Sequence, residues 1–168
     1  MATENKEKFP PTRCEASETG MEKQIVRHPD VPETGGPYNN ALIHENLIYI
    51  SGLTPFGAEF SAQLREARAT GQPTPTQIPP MSVEAQTHLV MKNMCLLLEA
   101  GGSNIDCLLK VVVWLSDLDQ LRPIDNVYKS YFSAPETMPT RTRIETSRLP
   151  FGCAVEIDAI GYVPKAGR

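Results

Sequence analysis

Signals of several functional classes are absent from this sequence of 168 residues. Its four cysteines are widely spaced and form no CxxC pair, so they indicate reduced thiols rather than a zinc site or a disulfide framework. The three histidines, His28, His44 and His88, show no metal-ligand spacing. The most apolar run, residues 108–115, is far too short to cross a bilayer. We therefore expect no bound metal and no membrane partner.

Clustered basic residues are missing as well. The formal net charge is -4 at pH 7, whereas nucleic-acid binding depends on groups of lysine and arginine that displace counterions. Residues 1–20 contain no apolar stretch typical of a secretory signal and are too rich in glutamate for a transit peptide. We expect a flexible tail over residues 1–20 and a single cytoplasmic domain over residues 21–168. Its partners should be small molecules or proteins rather than nucleic acids.

The apolar residues that are present suffice for one core, because they make up 40% of the chain, close to ordinary globular usage. The clearest predicted helix follows Ser82, a suitable N-cap, and ends at Gly101-Gly102. Its apolar residues recur at helical spacing and form one face that packs on the core. A second helix is predicted from Asp119, as its cap, to about Phe132.

Apolar and β-branched segments predict the strands. They cover about residues 23–28, 41–44, 47–51, 108–115, 140–148 and 153–163. One hairpin is closed by Glu45-Asn46, where asparagine tolerates a positive φ, and the last two strands form another, joined at residues 149–152. The long connection over residues 54–80 includes at most a short helix from Ser61 to Thr70, and its length is typical of a functional lid or a mobile excursion. The fold class is α+β, with two helices packed on one face of a mixed sheet.

The last hairpin is rich in charge. Alternation along the strands places five charged side chains on one of its faces: Arg141, Arg143, Glu145, Glu156 and Asp158. A turn that pairs Arg148 with Cys153 puts Arg143 across from Asp158. One interpretation is a solvated face whose ion pairs contribute about 0–1 kcal/mol each. The other is a binding site, in which arginine holds a substrate carboxylate and a neighbouring carboxylate holds or deprotonates water.

Several segments resemble the Rid/YjgF family, also called L-PSP. GPYNNA at 36–41 is similar to the family's GPYSQA, and NLIYISG at 46–52 to its NLIYVSGQ strand. KVVVWLSDL at 110–118 is similar to KTTVFLTDM. PTRTRIETSRLP at 139–150, followed by VEIDA at 155–159, resembles the signature PxRSxVxVxxLPxGxxVEIEA without a gap. The resemblance covers roughly Lys23 to Val163, and agreement over several segments makes it specific.

The resemblance implies a chorismate-mutase-like α+β fold and a homotrimer with its sites between subunits. It also implies cofactor-free hydrolysis of 2-aminoacrylate or related 2-imino acids to 2-keto acids and ammonia, since an imine carbon is already electrophilic. Arg141 corresponds to the residue that binds the substrate carboxylate, and Glu156 to the glutamate that positions water. Tyr38 and Ser51 correspond to residues that line the pocket, with backbone at Gly52 contributing.

Three features depart from the family pattern. Arg143 stands where the family often has a small polar residue, Leu53 where it often has glutamine, and residues 54–80 are longer than the usual connection. Arg143 either binds a more anionic substrate or pairs with Asp158 or Glu145 in a structural role. These departures keep two alternatives open. One is a specialised enzyme that acts on a larger imine or catalyses dehydration or cyclisation, and the other is a non-catalytic metabolite-binding trimer.

Overall fold

The structure, a computed structural model, describes residues 22–165. Its strands are β1 (Gln24–Val26), β2 (Ala41–His44), β3 (Leu47–Leu53), β4 (Leu108–Leu115), β5 (Thr140–Glu145) and β6 (Val155–Tyr162). Its helices are α1 (Ala58–Thr70), α2 (Val83–Ala100) and α3 (Leu121–Lys129). All six strands join in one mixed sheet, so the predicted α+β class is confirmed. The tail predicted over residues 1–20 lies outside the described residues.

The last two strands do not form the predicted hairpin. The order in the sheet is β1-β2-β3-β6-β4-β5, so β4 lies between β5 and β6. β4 pairs parallel with β5 and antiparallel with β6, and Val113 has Arg143 on one side and Ile157 on the other. The predicted register, with Arg143 across from Asp158, is therefore wrong.

The composition of β4 explains this order. Val111, Val113 and Leu115 are almost fully buried, and a strand this apolar is stable in the interior of a sheet, with a neighbour on each edge. Its parallel pairing with β5 requires a crossover, which α3 provides. Residues 146–154 then pass around the end of β4, where the Thr146 N–H donates to the Leu115 carbonyl (2.8 Å). A turn-like motif at 149–152 cannot reveal this arrangement, because local turn chemistry does not determine which strands pair.

One face of the sheet carries the main core. The helices α2 and α3 cover this face. The largest fully buried side chains of this core include Ile48, Met91, Met94, Leu97, Leu98, Leu115, Ile124 and Ile157. Both helices bury an apolar stripe at helical spacing against inward-facing strand residues, as the sequence pattern predicts.

Some ends of helices and turns follow the predicted local signals and others do not; α3, for example, ends at Lys129 rather than at about Phe132. The Ser82 hydroxyl accepts a backbone N–H from the first turn of α2 (3.2 Å), as predicted. A short 3₁₀ turn precedes α3, and Asp117 rather than Asp119 caps it. In the β2–β3 turn the positive φ (57°) belongs to Glu45 and not to Asn46. None of the helices within residues 22–165 is long and apolar enough to cross a membrane.

The segment over residues 54–80 contributes α1 and a second, smaller apolar cluster. The buried members of this cluster are Phe56, Phe60, Leu64, Leu149 and Cys153. Trp114 packs against it and alternates along β4 with the inward-facing Val113, so the cluster lies on the face opposite to α2 and α3. α1 begins at Ala58, earlier than the predicted Ser61, and ends at Gly71, whose φ of 70° needs glycine. Much of this segment is thus packed against the domain.

Candidate functional site

A cleft of about 300 Å³ lies beside β3 and β6. Its lining residues are Tyr38, Ser51, Gly52, Thr54, Phe56, Arg68, Pro150, Phe151 and Glu156. Four of the predicted site residues, Tyr38, Ser51, Gly52 and Glu156, therefore meet in one place. The volume is at the lower end of the range for ligand pockets, roughly 300–1,000 Å³, which suits a small metabolite.

An irregularity in β3 shapes this cleft. The register between β3 and β6 shifts between Ile50 and Leu53, so Ser51 and Gly52 form a bulge, a feature that re-aims side chains at the edge of a site. A methyl group at Gly52 would overlap the Glu156 carboxylate. A side chain at this position would force the Glu156 carboxylate to move, because the carboxylate lies directly against the backbone.

Glu156 is the main titratable group of the cleft. Burial raises the pKa of its carboxyl, and the negative charge of Asp158 raises it further. A raised pKa makes the ionised carboxylate a stronger base than an ordinary surface glutamate. Glu156 is therefore suited to accept a proton from water and to return it.

Two hydroxyl groups in the polar lining of the cleft, those of Ser51 and Tyr38, are anchored by hydrogen bonds. The Ser51 hydroxyl donates its hydrogen to the Asn39 carbonyl (2.8 Å). The lone pairs of the Ser51 oxygen remain available to accept a hydrogen bond from a ligand. The Tyr38 hydroxyl is hydrogen-bonded to the Thr34 hydroxyl (2.8 Å). Hydroxyls held in this way orient a small polar ligand at little entropic cost.

Arg141 and Arg143 lie outside this cleft. Arg141 pairs with the buried Val111 and projects to the side of the sheet covered by α3. Its Nη2 is 2.8 Å from Asp125 Oδ1, and its guanidinium lies 4.6 Å from the centre of the Tyr128 ring. Arg143 Nη1 is 3.4 Å from Oδ2 of the same Asp125 carboxylate. Asp125 thus holds both arginines on the helix side of β5.

The predicted partners of Arg143 are occupied elsewhere. Asp158 accepts a hydrogen bond from the Trp114 indole N–H (2.8 Å), and Glu145 accepts one from the Leu118 backbone N–H (2.9 Å). The structural alternative for Arg143, a pair with Asp158 or Glu145, is therefore not found. β4 separates Arg143 from Asp158 on β6, and its carboxylate partner is Asp125.

Arg141 and Glu156 consequently face away from each other within one chain. Glu156 pairs with Trp114 across β4 and β6, so it shares the face opposite to α3. Their strands are two strand spacings apart, about 10 Å, and their side chains project in opposite directions. A small molecule that touches Glu156 is out of reach of the Arg141 side chain of the same chain.

Comparison with known proteins identifies the family. A protein-family model described as Endoribonuclease L-PSP matches residues 29–163. The chain belongs to the Rid/YjgF (L-PSP) family. The resemblance found in the sequence is confirmed over nearly the whole of the described region.

Three relatives of this Rid/YjgF chain illustrate the similarity, and each matches over at least 90% of its own length. A RutC family protein of Pyrococcus horikoshii is 30% identical over 140 residues, which cover 83% of this chain and 98% of that protein. A 2-iminobutanoate/2-iminopropanoate deaminase of Mus musculus is 27% identical over 138 residues, 82% of this chain and 90% of that protein. The crystal structure of a Rid family protein from Yersinia pestis aligns with a TM-score of 0.71 at 25% identity, covering 84% of this chain and all of that one.

The cleft of this Rid/YjgF protein also contains residues that the sequence alone does not single out. Arg68 enters from α1, and Phe56 and Phe151 form an apolar wall. Phe151 has a positive φ of 54°, an unusual conformation for a bulky residue, and its ring packs edge-on against Phe56 (5.4 Å between ring centres). A helical pattern in Phe60 and Leu64 would have signalled that α1 packs on the domain. It would not have shown that Arg68 reaches a cleft built by distant strands.

Thiol and metal chemistry receive no support from the described region. Burial raises the pKa of Cys153 to about 12, and the negative charge of Glu156 adds to the rise, so this thiol is protonated at neutral pH and is a poor nucleophile. Within residues 22–165, no three His, Cys, Asp or Glu side chains are grouped to hold a metal ion.

Proposed function

We propose that this protein hydrolyses 2-imino acids, and the enamines that tautomerise to them, to 2-keto acids and ammonia without a cofactor. The observation that carries the proposal is the raised pKa of Glu156 in a cleft shared with Tyr38, Ser51 and Gly52. The deaminase name of the Mus musculus relative supports the same chemistry. Residues of the cleft supply what the reaction needs, a base beside an anchored set of hydroxyls.

The reaction balances with Glu156 as the only acid-base group. The oxygen of water bonds to C2 of the imine while Glu156 takes one proton and passes it to the nitrogen. The resulting carbinolamine then loses its hydroxyl proton to Glu156, which delivers it to the nitrogen as the carbon–nitrogen bond breaks. Ammonia leaves, the keto acid remains, and the carboxylate is regenerated. General acid-base catalysis of this kind contributes about 10²–10⁴-fold to a rate.

The substrate carboxylate is assigned to Arg141 of a neighbouring subunit. Within one chain Arg141 and Glu156 face opposite sides of the sheet, so a site that uses both requires a second copy. Asp125 and Tyr128 hold the guanidinium in place, and arginine offers a planar fork that fits a carboxylate. We propose a closed homotrimer in which each cleft receives Arg141 from the next subunit.

Arg143 is assigned a supporting role next to Arg141. Its side chain is 41% exposed against 20% for Arg141, and it shares the Asp125 carboxylate at a longer distance. It therefore limits the movement of Asp125 and places a second positive charge at the mouth of the proposed intersubunit site.

The test is the hydrolysis of 2-aminoacrylate and 2-iminobutanoate, generated in the assay by a serine or threonine dehydratase. We expect the wild-type protein to accelerate ammonia release over buffer. Arg141→Ala should lower kcat/KM by about 10²-fold, as expected for the loss of a bidentate carboxylate contact. The matched control is Arg122→Ala, because Arg122 is an exposed arginine of α3 with no assigned role.

One outcome would reject the proposed reaction, and another would reject only the role assigned to Arg141. No acceleration by the folded wild-type protein would favour a metabolite-binding protein without turnover. Acceleration that Arg141→Ala leaves unchanged would preserve the reaction but remove the assigned carboxylate contact.

A further inference from the structure

Arg68 occupies a defined position in the wall of the cleft. Its Nη1 donates to the Thr34 carbonyl (2.6 Å) and to the Thr34 hydroxyl (2.9 Å). Thr34 is buried, and its hydroxyl is also hydrogen-bonded to Tyr38 (2.8 Å). The guanidinium is thereby fixed to the same network as a residue that lines the proposed substrate site.

The charge of Arg68 is not neutralised by the protein over residues 22–165. The salt bridges there involve Arg27, Arg141 and Arg143, whereas both hydrogen-bond partners of Arg68 are neutral oxygens of Thr34. A guanidinium carries five N–H groups, and these contacts use one nitrogen. The rest of the fork remains available to an anion in the cleft.

Arg68 does not act on the proposed base. No salt bridge within the described region joins it to Glu156, and a cation beside Glu156 would lower the pKa of that carboxyl. The pKa is instead raised by burial and by Asp158. The positive charge of Arg68 therefore has no partner among the carboxylates of the cleft and is placed to meet one on a ligand.

We infer that Arg68 determines specificity by binding a second carboxylate, so that the preferred substrates are dicarboxylic 2-imino acids. The inference rests on the proposed function, which assigns the first carboxylate to Arg141 of the neighbouring subunit. An imino acid whose side chain ends in a carboxylate would then be held at both ends, with C2 beside Glu156. The helix that carries Arg68 lies in the segment that is longer than the family pattern.

The decisive measurement compares two imines: 2-iminoglutarate, formed by an L-glutamate oxidase, and 2-iminopropanoate, formed from alanine by an amino-acid oxidase. We expect the wild-type protein to show the higher kcat/KM on 2-iminoglutarate. Arg68→Gln should lower the ratio of the two kcat/KM values about tenfold or more, because a charge-assisted contact is lost. Arg68→Lys, which keeps the charge but not the fork, should recover part of that ratio.

The matched control is Arg65→Gln. Arg65 lies one turn earlier on α1 and donates to the Glu33 carbonyl (3.1 Å), but it does not line the cleft. Arg65→Gln should leave the ratio unchanged. A wild-type ratio that favours 2-iminopropanoate, or a ratio that Arg68→Gln does not alter, would overturn the inference while the proposed function stands.

A binding experiment separates this inference from the proposed function if neither imine is turned over. Titration calorimetry would compare 2-oxoglutarate with 2-oxobutanoate, which differ in the second carboxylate. Tighter binding of 2-oxoglutarate that is lost in Arg68→Gln would support the second-carboxylate site without turnover. Equal affinities, or a preference that survives in Arg68→Gln, would overturn it.

Discussion

Glu156 bears a cost that an ordinary surface carboxylate does not. Its folded-state pKa is raised above 4.5, so the folded protein binds a proton there more tightly than the unfolded chain does. At low pH both states are protonated and no penalty exists. As the pH rises through the raised pKa, the free energy of unfolding falls, because the folded state must ionise a partly buried group. The proposed base is therefore maintained at the expense of stability at neutral pH.

We predict that Glu156→Gln lowers imine hydrolysis by about 10²-fold or more and yet is more stable than wild type at pH 7. The gain should diminish as the pH falls through the raised pKa, because a protonated Glu156 has no charge to bury. Urea unfolding of both proteins at pH 4 and pH 7 measures this difference. A variant that is less stable than wild type at pH 7 would show that the carboxylate has a stabilising partner.

The contact between Gly52 and Glu156 leads to a second prediction. Gly52→Ala should destabilise the protein by about 1–3 kcal/mol, as expected for overpacking, because the new methyl group overlaps the Glu156 carboxylate. The same change in a Glu156→Ala background should cost much less, since the obstructing group is gone. Unfolding free energies of the four proteins form a double-mutant cycle. If the two substitutions change the unfolding free energy additively, the destabilisation by Gly52→Ala does not arise from contact with Glu156.

At the scale of elements, α1 forms a wall of the cleft through a small apolar cluster. Leu64 is fully buried in that cluster, so Leu64→Ala should cost about 2–5 kcal/mol in unfolding free energy. It should also raise KM for the imine, because Arg68 is carried by the same helix. The exposed Gln63 provides the control, and Gln63→Ala should change neither quantity. Protease cleavage within residues 54–80 should increase only in Leu64→Ala.

The elements themselves were largely predictable, whereas their pairing was not. Ser82 and Gly101 define α2 through local hydrogen bonding and backbone geometry, which are encoded in neighbouring residues. The β4 segment 108–115 was recognisable from its β-branched composition. The position of β4 between β5 and β6 depends on which surfaces are buried together, and this required the tertiary structure. The predicted contact between Arg143 and Asp158 failed for that reason.

At the scale of the molecule, the proposed homotrimer follows from the separation of Arg141 and Glu156. Sedimentation should give a mass of three chains. Arg141→Ala and Glu156→Gln should each be nearly inactive alone, but trimers reassembled from an equal mixture should recover activity. In random mixing about one interface in four joins an intact Glu156 to an intact Arg141, so roughly a quarter of the wild-type activity is expected.

The control for this experiment is a mixture that is not allowed to exchange subunits. It should remain as inactive as the separate variants. Failure of the exchanged mixture to recover activity, with subunit exchange verified by mass, would indicate that each site is built within one chain. The assignment of Arg141 to the site of the next subunit would then be wrong.

The sequence by itself determined the family and the fold class, and through the resemblance to that family it named four of the residues that line the cleft, Tyr38, Ser51, Gly52 and Glu156. These are matters of motif, periodicity and residue chemistry, which are local along the chain. The tertiary structure alone decided that β4 separates Arg141 from Glu156, that Asp125 is the partner of both arginines, and that Arg68 reaches the cleft. Those relations join residues far apart in sequence, and they are fixed by burying apolar strands and helices against one another rather than by any local signal.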